Sequence, residues 1–347
     1  MNAAILGIET SCDETAIGVV AGGVVLANRV ASQVPLHARF GGVVPEVAAR
    51  NHLLSILPGI EAALADAHLA PAQLGGIAVT HQPGLVGALL VGVQTARTLA
   101  LCWNKPLVGV DHIQAHVWAA MLRQPDAPPV ALSPPFLALA VSGGHTSLYR
   151  VAGPGQMTLL GRTLDDAAGE AYDKFARLLG VAYPGGPNVD KLAQLGDPAR
   201  FKLPRGMRGR ADVAMSFSGL KTAARLHMEA LQAQGPLDAQ TVQDLCASFQ
   251  QAVVAQLVHV TQKAALQQGL RDVVLAGGVA ANHGLRAGLA QMCARQGLQF
   301  WPVPLAWCGD NGAMVAGLGE ALLAAGQRDD PHELDAVPTG LVKRRAG

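Results

Sequence analysis

The sequence predicts a duplicated, layered α/β protein, and three observations carry that prediction. The chain twice opens a run with strand, polar turn, strand, at residues 3–20 and again at 136–151. After each opening, short β-prone runs alternate with helix-length apolar segments, the pattern of sheets covered by helices. The 347 residues are 50% hydrophobic but only 4% aromatic, with 40 glycines, so the core is built from Ala, Val and Leu with many close backbone approaches.

Taken in order, residues 3–8, 15–20 and 24–30 read as strands, the last two joined at Gly22-Gly23. Pro45 suits the first turn of a helix running to residue 57, with Glu46 on its dipole. Residues 76–80 form a strand, 84–101 a helix, 107–111 a strand and 112–122 a helix. The proline-rich stretch 124–135 reads as a linker. The second half follows with strands 136–141, 146–151 and 157–164, then helices 166–179 and 240–268. Strand 272–276, helix 279–296, strand 299–303 and helix 311–325 complete it. From Arg328 the tail is polar and expected to be loosely held. The domains follow as 1–133 completed by 305–325, then 134–304, and a tail at 326–347, with ligand expected in the cleft between the copies.

The net charge of +1 excludes a generally basic surface, so any nucleic-acid contact needs a local patch. One such patch is Lys202, Arg205, Arg208 and Arg210 in a Gly/Pro-broken loop, and another is Lys343-Arg344-Arg345. The five cysteines lack a C-x-x-C pair, which leaves reduced core residues of a cytosolic protein. Residues 3–20 lack the basic start of a signal peptide. The most apolar window, 85–102, is interrupted by Gly87, Gly92, Gln94 and Arg97.

Four groups of residues carry chemistry. His112 and His116 stand at i and i+4, one helix face, where two imidazoles can share a metal ion. In isolation, one could cap the turn and the other pack. Asp310 is the candidate third ligand, with a plain N-cap as its alternative; two His and one carboxylate suit Fe(II) or Zn(II). Glycine turns at 142–146, 183–187 and 276–282 can offer amides to an anion, although none matches a Walker or Rossmann pattern. Acidic residues gather as Glu9, Asp13 and Glu14, and as Asp165, Asp166, Glu170 and Asp173. In the second set, an N-cap role is expected for Asp165 or Asp166. Glu170 and Asp173 share a face and should repel unless Lys174 or a ligand hydroxyl intervenes.

Together these segments resemble the TsaD/YgjD (Gcp) family. The resemblance is carried by Gly-Ile-Glu-Thr-Ser-Cys-Asp-Glu-Thr at 7–15, Gly-Gly-Val-Val-Pro-Glu at 41–46 and the His112–His116 pair. It continues through Ser-Gly-Gly-His-Thr at 142–146, Asp-Asp-Ala-Ala-Gly-Glu-Ala-Tyr-Asp-Lys at 165–174, Ser-Phe-Ser-Gly-Leu-Lys-Thr at 216–222 and Gly-Gly-Val-Ala-Ala-Asn at 277–282. The matches run in order from about residue 5 to 320.

The resemblance implies an actin/Hsp70/sugar-kinase fold of two related subdomains. It also implies transfer of a threonylcarbamoyl group from threonylcarbamoyladenylate to N6 of the tRNA adenosine beside the anticodon, in tRNAs reading ANN codons, with release of AMP. Carried over by position, it implies one divalent ion, Fe2+ or alternatively Zn2+, on His112, His116 and Asp310. It implies adenylate binding by Val141, Ser142, Gly143, Gly144, His145, Asp173, Gly186, Asp190 and Asn282. Asp13 and Glu14 are the candidates for positioning or deprotonating the amine. The implied partners are tRNA, a homologous TsaB-like protein and a TsaE-like ATPase, in the cytoplasm and away from membranes.

One departure stands at Thr80-His81-Gln82-Pro83-Gly84-Leu85, where Gln82 replaces a family glycine and leaves the loop's shape open. A metalloprotease is disfavoured because Ile113 follows His112 where a zincin carries its general-base Glu. A sugar kinase or ATPase of the same fold is the alternative, but it needs an oxygen-ligated Mg2+ that paired imidazoles do not suit.

Overall fold

The computed structural model describes residues 3–204, 206, 212–233 and 235–338. They fall into two compact units, one drawn from 3–132, 153–156 and 309–338 and the other from 133–152 and 157–308. The first unit begins with an antiparallel meander, β1 (Ala4–Glu9), β2 (Glu14–Ala21) and β3 (Val24–Ser32). A single helical turn, α1 (Val34–Ala38), leads to α2 (Pro45–Asp66). This helix does not stop at residue 57 as expected but continues through Pro58. The apolar period Ile56, Ile60, Ala63, Leu64 stays buried across the proline, and that packing outweighs the roughly 3 kcal/mol of a lost backbone bond. Then follow β4 (Leu74–Gln82), α3 (Val86–Trp103), β5 (Leu107–Asp111) and α4 (His112–Trp118). The sheet order is β3-β2-β1-β4-β5, with β4 parallel to β1 and β5 parallel to β4. α3 is long and apolar enough to cross a membrane by length and composition, but Ala88, Leu89, Val93, Ala96 and Ala100 are buried in this unit.

The second unit repeats the plan. β6 (Phe136–Val141), β7 (Thr146–Gly153) and β8 (Gln156–Arg162) open it, and β9 (Asp272–Ala276) and β10 (Gln299–Pro302) extend it in parallel. Read from its other edge, its order is β8-β7-β6-β9-β10, the same as the first sheet. Its helices are α5 (Ala168–Leu178), α6 (Gly185–Ala193), α7 (Ser218–Gln232), α8 (Ala239–Gln268) and α9 (His283–Gln296). α6 and α7 were not anticipated. α7 buries Leu220, Ala224 and Met228 at every fourth position, a narrow stripe inside an otherwise polar run. α5 starts two residues later than expected, and α9 starts only after a short 3-10 turn at Gly278–Ala281.

The chain then returns to the first unit with α10 (Gly312–Ala324). Gly7 and Gly18 are paired partners on β1 and β2. A Cβ at Gly7 would stand 2.3 Å from Ala316 N, and one at Gly18 would stand 2.2 Å from Ala313 N. Only bare backbone lets α10 lie this close to the sheet, and that closeness fixes where the residues just before α10 must be. The tail is not loose over 328–338: Asp329 N donates to Leu107 O, Val337 N donates to His81 O, and Leu334 is buried. Arg97 on α3 also binds the carbonyls of Pro331 and His332, so side-chain and backbone contacts that composition does not show hold this segment.

Candidate metal centre and nucleotide site

In the first unit, β5 hands the chain to α4 at Asp111, whose carboxylate accepts from Gln114 N at 3.0 Å and caps the helix. Neither histidine is therefore needed as a cap. Gln82, the departure from the family pattern, ends β4, and its Nε2 donates to Asp111 Oδ2 at 3.3 Å. The capping role before α10 belongs to Asn311, which accepts from Met314 N at 2.9 Å. Asp310 is thereby released from the role that was its alternative.

It turns instead to the histidines. Asp310 Oδ1 lies 3.0 Å from His116 Nε2 and 3.6 Å from His112 Nε2, and one ligand atom from each of the three falls within 4.8 Å of the others. The imidazoles are buried and meet edge to face, centroids 4.6 Å apart. Glu9, fully buried at the end of β1, accepts from His112 Nδ1 at 3.1 Å, from Thr80 Oγ1 at 2.5 Å and from Ser11 N at 2.5 Å. With the His112 Nδ1 proton on Glu9, its Nε2, His116 Nε2 and Asp310 Oδ1 point into one small space, where either a proton or a divalent ion can stand between them. Burial alone would lower the His112 pKa, but the Glu9 and Asp310 charges raise it to about 9. Burial likewise works to raise Glu9, and His112 holds it below the usual carboxylate range.

Asp13 and Glu14 stand at the start of β2, Asp13 buried and Glu14 half-buried. Ser32 Oγ donates to Glu14 Oε1 at 2.9 Å. Burial first, then the Asp310 and Asp13 charges, push Glu14 up to about 8. The loop carrying both is pinned from α2, since His52 bonds Thr15 Oγ1 at 2.8 Å and the Cys12 carbonyl at 3.0 Å. Sequence reasoning left Glu9 and His52 without a role. Glu9 was visible in the 7–15 motif, whereas His52 sits in an ordinary helical stretch. All five cysteines are free; Cys246, Cys293 and Cys308 are buried, while Cys12 is half-buried and Cys102 is exposed.

In the second unit, Ser142–His145 closes the β6–β7 turn: Ser142 N donates to His145 O at 2.8 Å and His145 N to Ser142 Oγ at 3.1 Å. Gly143 and Gly144 have nothing within 4 Å of where a Cβ would be. A hollow of about 370 Å³ lies beside this turn, lined by Gly144, His145, Arg162 and Asp165 among others. The glycine turn at 183–187 is a helix start, because Gly185 N and Gly186 N donate to Asp173 Oδ1 at 2.9 and 3.2 Å. That use of Asp173 resolves the expected repulsion, since Glu170 pairs instead with Lys174 at 2.8 Å. Neither Asp165 nor Asp166 caps its own helix. Asp165 accepts from Phe217 N and both Ser216 and Ser218 hydroxyls, capping α7 from outside, while Asp166 joins Lys174 and Lys221.

Asn282 caps α9 through Leu285 N at 2.8 Å and donates to Gln250 Oε1 at 2.7 Å. Asp190 accepts from Gln250 Nε2 at 2.9 Å and from His283 Nδ1 at 2.7 Å. Glycine thus permits approach at Gly277 as well, where φ is +91° and a Cβ would meet Val141 O at 2.4 Å. Lys202 is exposed. Arg205, Arg208, Arg210 and Lys343-Arg344-Arg345 lie outside the described residues.

Two sheets of one strand order, each with loops at the ends of its central strands, define an α/β protein of the actin/Hsp70/sugar-kinase class. Solved structures share that fold: a full-length HypF with phosphate and nucleotide bound superposes with TM-score 0.58 at 14% identity, over 93% of this chain and 46% of that one. HypF from T. kodakarensis gives TM-score 0.58 at 15% identity, over 93% and 48%. This chain spans about half the length of those proteins, and the likeness speaks to fold alone.

The family is narrower. The model of TsaD, tRNA N6-adenosine threonylcarbamoyltransferase, matches residues 24–317. Proteins of that name from Sorangium cellulosum and Trichlorobacter lovleyi are each 52% identical, over 99% of both chains and 96% of both chains respectively. The chain belongs to the TsaD family and is a transferase.

Proposed function

We propose that this chain moves the threonylcarbamoyl group of threonylcarbamoyladenylate onto N6 of the adenosine 3′-adjacent to the anticodon in tRNAs reading ANN codons, releasing AMP. The observation that carries the reading is the convergence of His112, His116 and Asp310 within 4.8 Å, inside a chain of this family. These three would hold one divalent ion, Fe2+ or alternatively Zn2+, which when bound supplies a Lewis-acidic centre with open positions for donor oxygens. Glu9 orients His112 through its Nδ1 proton and so fixes which nitrogen points inward.

The donor is a mixed anhydride with a good leaving group, and the exocyclic amine of adenine is a weak nucleophile, so alignment and charge stabilisation matter most. In the segment Val141, Ser142, Gly143, Gly144, His145 the amides of Ser142 and His145 close the turn, which leaves those of Gly143 and Gly144 to the adenylate, with Asp173, Gly186, Asp190 and Asn282 completing its site. The side-chain-free space at Gly143 and Gly144 supports close ligand approach. Asp13 and Glu14 position the amine and take its proton. A carboxyl raised to about 8 suits a base working near neutrality. Anticodon-loop bases are already unpaired, so presenting the target costs little.

The protein acts in the cytoplasm with tRNA, a TsaB-like homologue and a TsaE-like ATPase. The test is reconstitution: the protein, threonine, bicarbonate, ATP, tRNA and the other pathway proteins, followed by nuclease digestion of the tRNA. N6-threonylcarbamoyladenosine is expected, and a digest without it overturns the reading.

A further inference from the structure

We infer that Gln250, in the middle of α8, is a positioning residue for the nucleotide: its amide sets the Asp190 carboxylate to receive a ribose hydroxyl. This rests on the reading above that Asp190 and Asn282 hold the adenylate. Gln250 is 7% exposed and stands between two residues from different elements. Its Nε2 donates to Asp190 Oδ1 at 2.9 Å. Its Oε1 accepts from Asn282 Nδ2 at 2.7 Å and from Tyr172 OH at 3.3 Å. Asn282 must face Gln250 with its NH2, because its oxygen already caps Leu285 N. Asp190 can only accept, so it must face the Gln250 NH2. The amide therefore has a single self-consistent orientation.

Asp190 Oδ2 takes both the backbone N–H and the ring N–H of His283, at 3.2 and 2.7 Å. Oδ1 takes one bond from Gln250, and its second lone pair has no partner among the described residues. The network thus presents one anionic acceptor whose direction Gln250 fixes, and it calls for a hydrogen-bond donor of the nucleotide, which deoxy nucleotides test as a ribose hydroxyl. Gly284 makes room, since a Cβ there would sit 2.9 Å from Gln250 Nε2.

The probe is AMP, with 2′-deoxy-AMP and 3′-deoxy-AMP beside it, titrated calorimetrically into wild type, Gln250→Met, Gln250→Glu and Asp190→Ala. In wild type, removing the recognised hydroxyl should weaken binding about tenfold or more, the range for a hydrogen bond to a charged group. In Gln250→Met, AMP should bind about tenfold more weakly and the deoxy penalty should shrink to about twofold or less. In the transfer assay the KM for the adenylate should rise by more than kcat falls. Gln250→Glu conserves shape but sets a carboxylate against Asp190. Its AMP affinity, taken relative to wild type at each pH so that the Asp190–His283 pair cancels, should be low at alkaline pH and recover as pH falls toward about 6, when a shared proton restores the lost donor. An unchanged deoxy penalty in folded Gln250→Met, or a flat pH profile in Gln250→Glu, overturns the inference. If Asp190→Ala also leaves AMP affinity unchanged, the adenylate reading itself is what fails.

Discussion

The two units share a strand order but differ in what their first turns carry. Between β1 and β2 the chain places Glu9, Asp13 and Glu14, two of them buried, and brings Asp310 and two histidines alongside. Between β6 and β7, at the same topological position, it places Ser142, Gly143, Gly144 and His145, with backbone amides in place of acids. The first unit concentrates carboxylates and imidazole nitrogens that could hold a cation. The second offers N–H groups and an amide network around the single carboxylate of Asp190. One backbone plan therefore supports opposite electrostatics, because the strand ends fix where side chains go and not what they are.

The largest effect should come from breaking the charged side of this contrast. His112→Ala, His116→Ala or Asp310→Ala should each remove bound metal and transfer activity while leaving circular dichroism unchanged. Metal analysis of protein purified without chelators checks this, and full occupancy in both histidine variants would exclude the cluster. Glu9→Gln should act more mildly, lowering metal affinity by about 10–100-fold, because the ligand remains but its orientation and basicity weaken.

The pH response should also separate the units. His112 has a folded-state pKa raised to about 9, against an ordinary value of 6.5. In the metal-free protein its contribution to stability is complete below about 6.5 and is lost as pH rises through about 9. Metal affinity should run the other way, rising about tenfold per pH unit over that window as the competing proton leaves. Thermal melts of chelated protein against pH, paired with metal titrations, test both signs. In the second unit Gln250 and Asn282 carry no titratable group and burial pushes the Tyr172 phenol up, so any pH dependence of AMP binding by the wild-type site would come from the Asp190–His283 pair.

Much of this architecture is legible in the residues. The i, i+4 histidines, the alternating apolar runs and the glycine turns each state a local geometry. What was not legible depends on partners distant in sequence. Helix α2 runs past Pro58 because of the sheet beneath it, and the tail at 328–338 is held by the carbonyls of His81 on β4 and Leu107 on β5. Asp165 caps α7 from another segment, and Asp310 escapes capping because Asn311 takes that role. Gln250 is the extreme case. A glutamine inside a 30-residue helix gives no sequence signal, and its importance appears only when α6 and α9 bring Asp190 and Asn282 to it.

The smallest effect should be the most informative about the glycine-bearing unit. Gly144→Val and Gly277→Val change the same residue type on neighbouring loops, yet the backbone separates their consequences. At Gly277, φ of +91° and a Cβ 2.4 Å from Val141 O mean that any side chain strains the fold. A loss of about 2 kcal/mol or more is expected there. At Gly144 the added Cβ meets nothing within 4 Å, so stability should change by no more than about 0.5 kcal/mol. The branched side chain would instead occupy the space an adenylate needs against the turn amides, and AMP binding should weaken about tenfold or more. Denaturant melts and AMP calorimetry on both variants decide it. A Gly144→Val protein that is stable and still binds AMP normally would move the nucleotide away from the β6–β7 turn and leave that open space without a ligand.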